Sequence, residues 1–153
     1  MLKITLAIIV VLLLGYLGYG LEKYYKIRLK ILNDYNAFLT YVSKETDFYK
    51  TDILNLIKNY DYQSNQLKEL LLNVLNKSKN ENIFLTKEII DKINNFINEL
   101  SIADYYFKNT IIKNAREQAS QMILNAEKDK SQKGELGRKM LILLGIGLIV
   151  LII

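Results

Sequence analysis

Few side chains in this sequence have the chemistry of an active site. The 153-residue chain contains neither histidine nor cysteine, so the commonest general bases, thiolate nucleophiles and metal ligands are absent from it. Carboxylates do pair at helical spacing, as in Glu88 and Asp91, but beside an apolar stripe such a pair is ordinarily solvated charge. The segment between the apolar ends has no glycine-rich phosphate loop. We therefore predict that the protein is not an enzyme and has neither a cofactor nor a metal site.

The eleven tyrosines are the other residues suited to recognition. Aromatic rings stack on nucleic-acid bases where they alternate with a stripe of basic side chains. These tyrosines are not interleaved with such a stripe, so we interpret them as packing residues of amphipathic helices. Nucleic acid is not an expected partner.

Both ends of the chain are strongly apolar. From Ile4 to Leu21 no residue is charged, and as a helix this run reaches roughly 27 Å, close to the roughly 30 Å of a bilayer core. The run from Met140 to Ile153 reaches only about 21 Å as a helix. We predict transmembrane helices over residues 1–21 and 140–153, with a central domain over residues 22–139.

Positive charge is concentrated beside these apolar ends. The formal net charge is +5, from 21 basic and 16 acidic residues, whereas the stretch from Ile31 to Glu127 has a small acidic excess. Because basic residues favour the cytoplasmic side of a membrane, we predict a multi-pass membrane protein whose central domain is cytoplasmic and whose termini lie outside. The basic residues that flank the predicted spans are Lys23, Lys26, Arg28, Lys30, Lys133, Arg138 and Lys139.

Apolar residues of the central domain recur three and four positions apart, which is typical of helices. The sequence contains no proline, and we predict an all-α fold: an antiparallel bundle of four to six helices between the two transmembrane helices. The first helix is expected to continue from the N-terminal span. Thr51 with Asp52, Thr86 and Asp104 are predicted helix starts, and polar breaks are expected over residues 61–65 and 101–103. The last helix is expected to pack through Phe107, Ile111, Ala115, Ala119, Met122 and Ala126.

Glycines within the predicted spans are candidates for helix packing. Gly15 and Gly18 lie three residues apart in the first span, and small residues permit close contact between membrane helices. Gly145 is the third candidate, in the C-terminal span. Ordinary glycines facing lipid are the alternative interpretation.

Several local motifs follow one another along the whole chain in a characteristic order. They are Leu2-Lys3 before an apolar span, Arg28 in a charged stripe, Lys44 to Phe48 with Thr51 three residues on, Leu100 and Asp104 at a long helix, and a basic pair before a glycine-bearing apolar C-terminus. In this order the chain resembles the stage III sporulation protein AB family. The sequence departs from the family's usual isoleucine, proline, glycine and glutamine at Thr46, Asp52, Ser101 and Lys108.

That resemblance implies a component of the channel between mother cell and forespore in endospore-forming bacteria. The family is similar to the inner-membrane platform protein of type II secretion systems, a helical scaffold contacted by a secretion-type ATPase. The expected partners are this ATPase, other channel subunits and the membrane, with homo-oligomerisation left open. The expected location is the mother-cell membrane around the forespore. Glu45, Thr51 and Asp104 match recurring positions of the family and are candidates for an interaction or a structural role.

Two other functions fit parts of the sequence. A membrane-surface or nucleic-acid-binding helical protein would use the basic juxtamembrane residues as its site. If the first apolar run were a signal peptide, with Lys3 before it and Gly18 and Gly20 near a cleavage site, the product would be a cleaved structural protein.

Overall fold

The computed structural model describes residues 2–48, 52–76, 78 and 82–152. These residues form six α-helices and one π-helical segment, with no strand among them, so the predicted all-α class is confirmed. The π-helical segment Lys130–Glu135 joins the last two helices. The α-helices are α1 Leu2–Phe48, α2 Ile53–Asn59, α3 Asn65–Leu75, α4 Lys87–Ile102, α5 Tyr105–Asp129 and α6 Leu136–Ile152.

The chain divides into two compact units. Unit 1 comprises residues 1–29 and 125–153, and unit 2 comprises residues 30–124. Helices α1 and α5 contribute residues to both. The domain boundaries predicted after residues 21 and 139 stay predictions.

Helix α1 continues without a break, as its sequence predicts. The helix has no proline to remove a backbone donor, and in unit 2 it buries apolar residues three and four positions apart, namely Ile31, Tyr35, Phe38 and Val42. Among the described residues, α1 is the one helix long and apolar enough to cross a membrane, and its apolar window is only 11% buried. The C-terminal span stays a prediction.

The core of unit 2 forms where amphipathic helices bury their apolar faces. In α3, Leu67, Leu70 and Leu71 are buried at the predicted spacing. In α4 the buried residues are Ile89, Ile90, Ile93, Phe96, Ile97 and Leu100. The predicted three- and four-residue spacing is thus confirmed in both helices, since the 3.6-residue period determines which side chains can leave water together.

The buried face of α5 differs from the predicted seam. Ala115, Ala119 and Met122 are buried as predicted, but Phe107 is exposed and Ile112 is buried instead. At roughly 100° per residue, Phe107 lies about 100° from the centre of the face formed by the other four. The prediction was therefore wrong at Phe107, which is apolar but does not lie on the buried face.

The predicted helix starts lie close to the observed ones. Asp52 and Thr86 are the N-cap residues of α2 and α4, although neither side chain makes a capping hydrogen bond. The break predicted at residues 101–103 is shifted, because α4 continues through Ile102. Asp104 directly precedes α5, and its carbonyl oxygen accepts the N–H of Phe107 at 2.9 Å.

A buried carboxylate connects α1 to the turn between α2 and α3. Asp34 is only 2% exposed; its Oδ2 accepts the N–H of Ser64 at 2.8 Å, and its Oδ1 accepts the hydroxyl of Tyr60 at 2.9 Å. Because both oxygens have donors, the cost of removing the charge from water is offset. Burial and this hydrogen bond together raise the pKa of Tyr60. Phe38 packs edge-on against the Tyr60 ring, with centroids 5.3 Å apart.

We expect Asp34→Ala to lower the free energy of unfolding by about 2 to 4 kcal/mol, because it leaves the buried N–H of Ser64 without an acceptor and removes the shorter hydrogen bond of the Tyr60 hydroxyl. Tyr60→Phe removes one donor and should cost about 0.5 to 1.5 kcal/mol. Urea unfolding of the full chain in detergent, followed by circular dichroism, measures both. Asp91→Ala in the exposed face of α4 is the matched control, and an equal loss in Asp34→Ala and this control would contradict the structural role.

Candidate functional site

Glycines bring α1 and α6 close together in unit 1. A side-chain carbon added at Gly18 would lie 3.1 Å from Cα of Arg138, and one added at Gly145 would lie 3.3 Å from Cγ2 of Val11. Such distances leave almost no room for a larger residue, so both glycines permit the close approach of these helices. Gly15, the remaining predicted packing glycine, has no described neighbour within 4 Å of that position.

The contacts of α1 with the C-terminal helical segments show that the two run in opposite directions. As residue numbers rise along α1, the residues that they meet fall in number: Val11 and Leu14 meet Gly145, Gly18 meets Arg138, and Glu22 and Tyr25 meet Gly134. The helices of unit 1 therefore pack antiparallel from the apolar ends to the first charged residues.

The third glycine of this contact lies in the π-helical segment. Gly134 is buried, and a side-chain carbon there would lie 3.3 Å from Cδ2 of Tyr25. The N–H of Leu136 donates to the carbonyl of Ser131, five residues earlier, which is the hydrogen bond of a π-helix. This wider turn absorbs one residue, so that Ala126 and Gly134, eight residues apart, are both buried.

A buried carboxylate joins the two helices just beyond the apolar run. Glu22 is paired through one oxygen with Lys26 of its own helix, at 2.7 Å, and through the other with Arg138 of α6, at 2.5 Å. The side chain of Glu22 is 8% exposed, whereas that of Lys26 is 57% exposed. The acidic partner therefore lies inside the contact and the lysine reaches the surface.

A second carboxylate repeats this arrangement. Asp129 contacts Arg28 at 3.3 Å and Lys133 at 2.7 Å, and the hydrogen bond to Asp129 raises the pKa of Lys133. The side chain of Lys133 is 60% exposed, whereas that of Arg28 is only 12% exposed. The interaction with Arg28 again joins α1 to the C-terminal segment.

The flanking basic residues predicted from the sequence thus fall into groups. Four of them have acidic partners, namely Lys26, Arg28, Lys133 and Arg138. Lys23 and Lys139 are exposed and form no ion pair with any residue in the described ranges. Lys30 is also exposed but belongs to unit 2.

The other candidate residues do not form one cluster. Glu45 is half-buried near the end of α1. The pKa of Tyr41 is raised mainly by burial of the tyrosine and, to a smaller extent, by the charge of Glu45. Asp104 is exposed before α5. Thr51 lies outside the described residues. The roles of all three stay predictions.

Large apolar side chains are exposed on both sides of Asp104. Ile102 and Tyr106 are each more than four-fifths exposed, and Phe107 is exposed as well. We refer to Ile102, Tyr106 and Phe107 as the α4–α5 corner. Sequence reasoning missed it, although three successive aromatic residues from Tyr105 to Phe107 cannot all face one core, since neighbours on a helix point about 100° apart.

Some of the residues that join the terminal helices were also missed. The spacing of Glu22 with Lys26 and of Asp129 with Lys133 is the four-residue spacing of helical ion pairs, so a signal was present. The ion pair between Glu22 and Arg138 could not be predicted from local spacing, because it joins residues that are far apart in the sequence. Within residues 2–48, 52–76, 78 and 82–152, acidic side chains form no group suited to a metal ion, and the absence of a cofactor stays a prediction.

We expect Gly18→Leu to separate α1 from α6, because the new side chain would overlap the backbone of Arg138. Urea unfolding of the full chain in detergent, followed by circular dichroism, measures the loss of this contact. The free energy of unfolding should fall by about 1 to 3 kcal/mol in Gly18→Leu. Gly20→Leu is the matched control, since Gly20 has open space around it; an equal fall in both variants would contradict the packing role.

Comparison with known proteins gives no family assignment. No protein-family model, curated protein or solved structure matches the chain significantly. Its function is therefore inferred from the contacts, charges and exposed surfaces of the described residues.

Proposed function

We propose that the protein is a membrane-anchored, non-enzymatic scaffold that docks other proteins on unit 2. The anchor is the N-terminal part of α1, where large apolar side chains remain exposed at Ile8, Ile9, Leu12, Leu13 and Leu17. An apolar surface of this extent is costly in water and suits a lipid environment, in which a helix also satisfies its own backbone groups. The apolar faces of α3 and α4 in unit 2 are buried instead.

The proposed topology has two spans. Helix α6 exposes Leu143, Leu144 and Val150, and it packs antiparallel to α1 through the glycine contacts. A chain that leaves the bilayer along α1 would return along α6. The basic residues at the charged ends of these helices favour a cytoplasmic location for unit 2, whose helices we propose to form an antiparallel bundle.

The topology predicts opposite labelling of two introduced cysteines. Lys3→Cys, which precedes the apolar run, should react with a membrane-impermeant maleimide in intact cells, while Asn98→Cys in the exposed face of α4 should react only after permeabilisation. Background labelling is negligible because the natural chain lacks cysteine. Labelling of residue 98 in intact cells would place unit 2 on the other side of the membrane.

The α4–α5 corner is the observation that supports docking most directly. Its isoleucine, tyrosine and phenylalanine are exposed in a unit that buries most of its large apolar side chains. Exposed apolar groups beside polar ones are typical of protein contact sites, and aromatic residues contribute strongly to binding energy there. Asp104 lies within the same corner and provides a charge that could orient a partner.

The order of motifs along the chain suggests which partners to test. The resemblance to the stage III sporulation protein AB family favours a secretion-type ATPase and other membrane subunits of the mother cell to forespore channel. We propose that the protein lies in the mother-cell membrane around the forespore. It would act there as a platform that positions these partners, with no chemical step of its own.

Polar substitutions in the α4–α5 corner should abolish docking without unfolding the chain. In Ile102→Ser with Phe107→Ser, we expect co-purification of the ATPase and channel subunits with the tagged protein to fall at least about tenfold, which corresponds to about 1.4 kcal/mol. The free energy of unfolding should change by less than about 0.5 kcal/mol, since both side chains are exposed.

Ile83→Ser is the matched control, because Ile83 is an exposed isoleucine elsewhere in unit 2. Asp104→Ala separates two roles of that residue: loss of a helix cap would cost about 0.5 to 2 kcal/mol of stability, whereas loss of docking would leave stability unchanged. If the double variant still recruits every partner, the corner is not the docking site.

A further inference from the structure

We infer that the exposed lysines at the charged end of the α1–α6 pair bind the headgroups of anionic phospholipids. We name Lys23, Lys26, Lys133 and Lys139 the lysine rim. The inference rests on the membrane anchoring proposed above. It adds a ligand class and assigns the main part of the binding to the two rim lysines without acidic partners, Lys23 and Lys139.

The first argument is the distribution of charge between the units. Unit 1 contains nine basic and four acidic residues, and unit 2 contains twelve of each. The whole net charge of +5 therefore belongs to unit 1. A surface of unit 2 has no comparable excess with which to attract an anionic surface.

The second argument is which charges reach the solvent. The carboxylates of Glu22 and Asp129 are shielded inside the helix contact, while their partners Lys26 and Lys133 extend outward. Lys23 and Lys139 are exposed as well. The outer surface of this part of unit 1 is thus cationic, since among its acidic side chains only Glu127 and Glu135 are substantially exposed.

The third argument is the level of the rim along the helix. Tyr16 and Tyr19 are exposed on the last part of the apolar surface of α1, where Leu17 and Leu21 are exposed as well, and tyrosine is enriched at the depth of lipid headgroups. Lys23 follows Tyr19 by about 6 Å along the helix axis. A lysine at this distance reaches the phosphate groups of a bilayer that covers the apolar surface.

The alternative ligand for cations on a surface is the phosphate backbone of a nucleic acid. Anionic lipid is favoured because the rim borders an exposed apolar surface and exposed tyrosines, both of which a bilayer would cover and a nucleic acid would not. A juxtamembrane lysine contributes about fivefold to binding of an anionic membrane surface.

Native mass spectrometry of the full chain in detergent tests the inference with added phosphatidylglycerol and phosphatidylcholine. We expect tighter binding of phosphatidylglycerol, and Lys23→Gln with Lys139→Gln should weaken it by about 25-fold while leaving phosphatidylcholine binding unchanged. Raising the salt concentration should weaken the preference further. Lys58→Gln with Lys68→Gln, at exposed lysines of unit 2, is the control and should change neither.

Equal binding of the two lipids by the natural chain, or an equal effect of the two double variants, would overturn the inference. So would binding of a single-stranded oligonucleotide that depends on Lys23 and Lys139 in a chain without preference for phosphatidylglycerol. Alkaline carbonate extraction of cell membranes tests the anchoring separately. Release of the chain would refute both proposals, whereas a retained chain without lipid preference would refute only this one.

Discussion

The ion pair between Glu22 and Arg138 joins the two ends of the chain at a defined register. A carboxylate shielded from water is stabilised by compensating charge, and Glu22 obtains it from its own helix at Lys26 and from α6 at Arg138. Arg138 is also the residue whose backbone lies against Gly18. Arg138 therefore contributes to the register of the helix pair through its ion pair with Glu22, and to the close approach of the helices through its contact with Gly18.

Unit 2 stabilises its buried carboxylate by different means. Asp34 accepts hydrogen bonds from a tyrosine hydroxyl and a backbone N–H, which are neutral donors. Neutral donors attach a turn to α1 without adding charge to the surface, whereas the lysines paired with Glu22 and Asp129 extend into solvent. The same need to satisfy a buried acid thus yields an uncharged connection in unit 2 and a cationic surface in unit 1.

The helices were largely predictable because their information is local. The faces of α3 and α4 follow from the spacing of leucine and isoleucine alone, and the continuity of α1 follows from the absence of proline. The exposure of Phe107 and the burial of Asp34 depend on which helices meet, and single-helix periodicity does not contain that information. For the candidate site the sequence identified the basic residues and two of the packing glycines. It did not identify the ion pair between Glu22 and Arg138, because these residues are far apart in the chain.

The π-helical segment determines which side of α6 is turned toward α1. Ala126, Gly134, Arg138 and Gly145 are all buried or in contact with α1, and the wide turn at Lys130–Glu135 accommodates one residue more than an α-helical turn would. If all residues of the segment formed a regular α-helix, α6 would rotate by about 100° relative to the end of α5. Gly145 would then face away from Val11, so a natural variant in which this segment is a regular α-helix should also lack one of its residues.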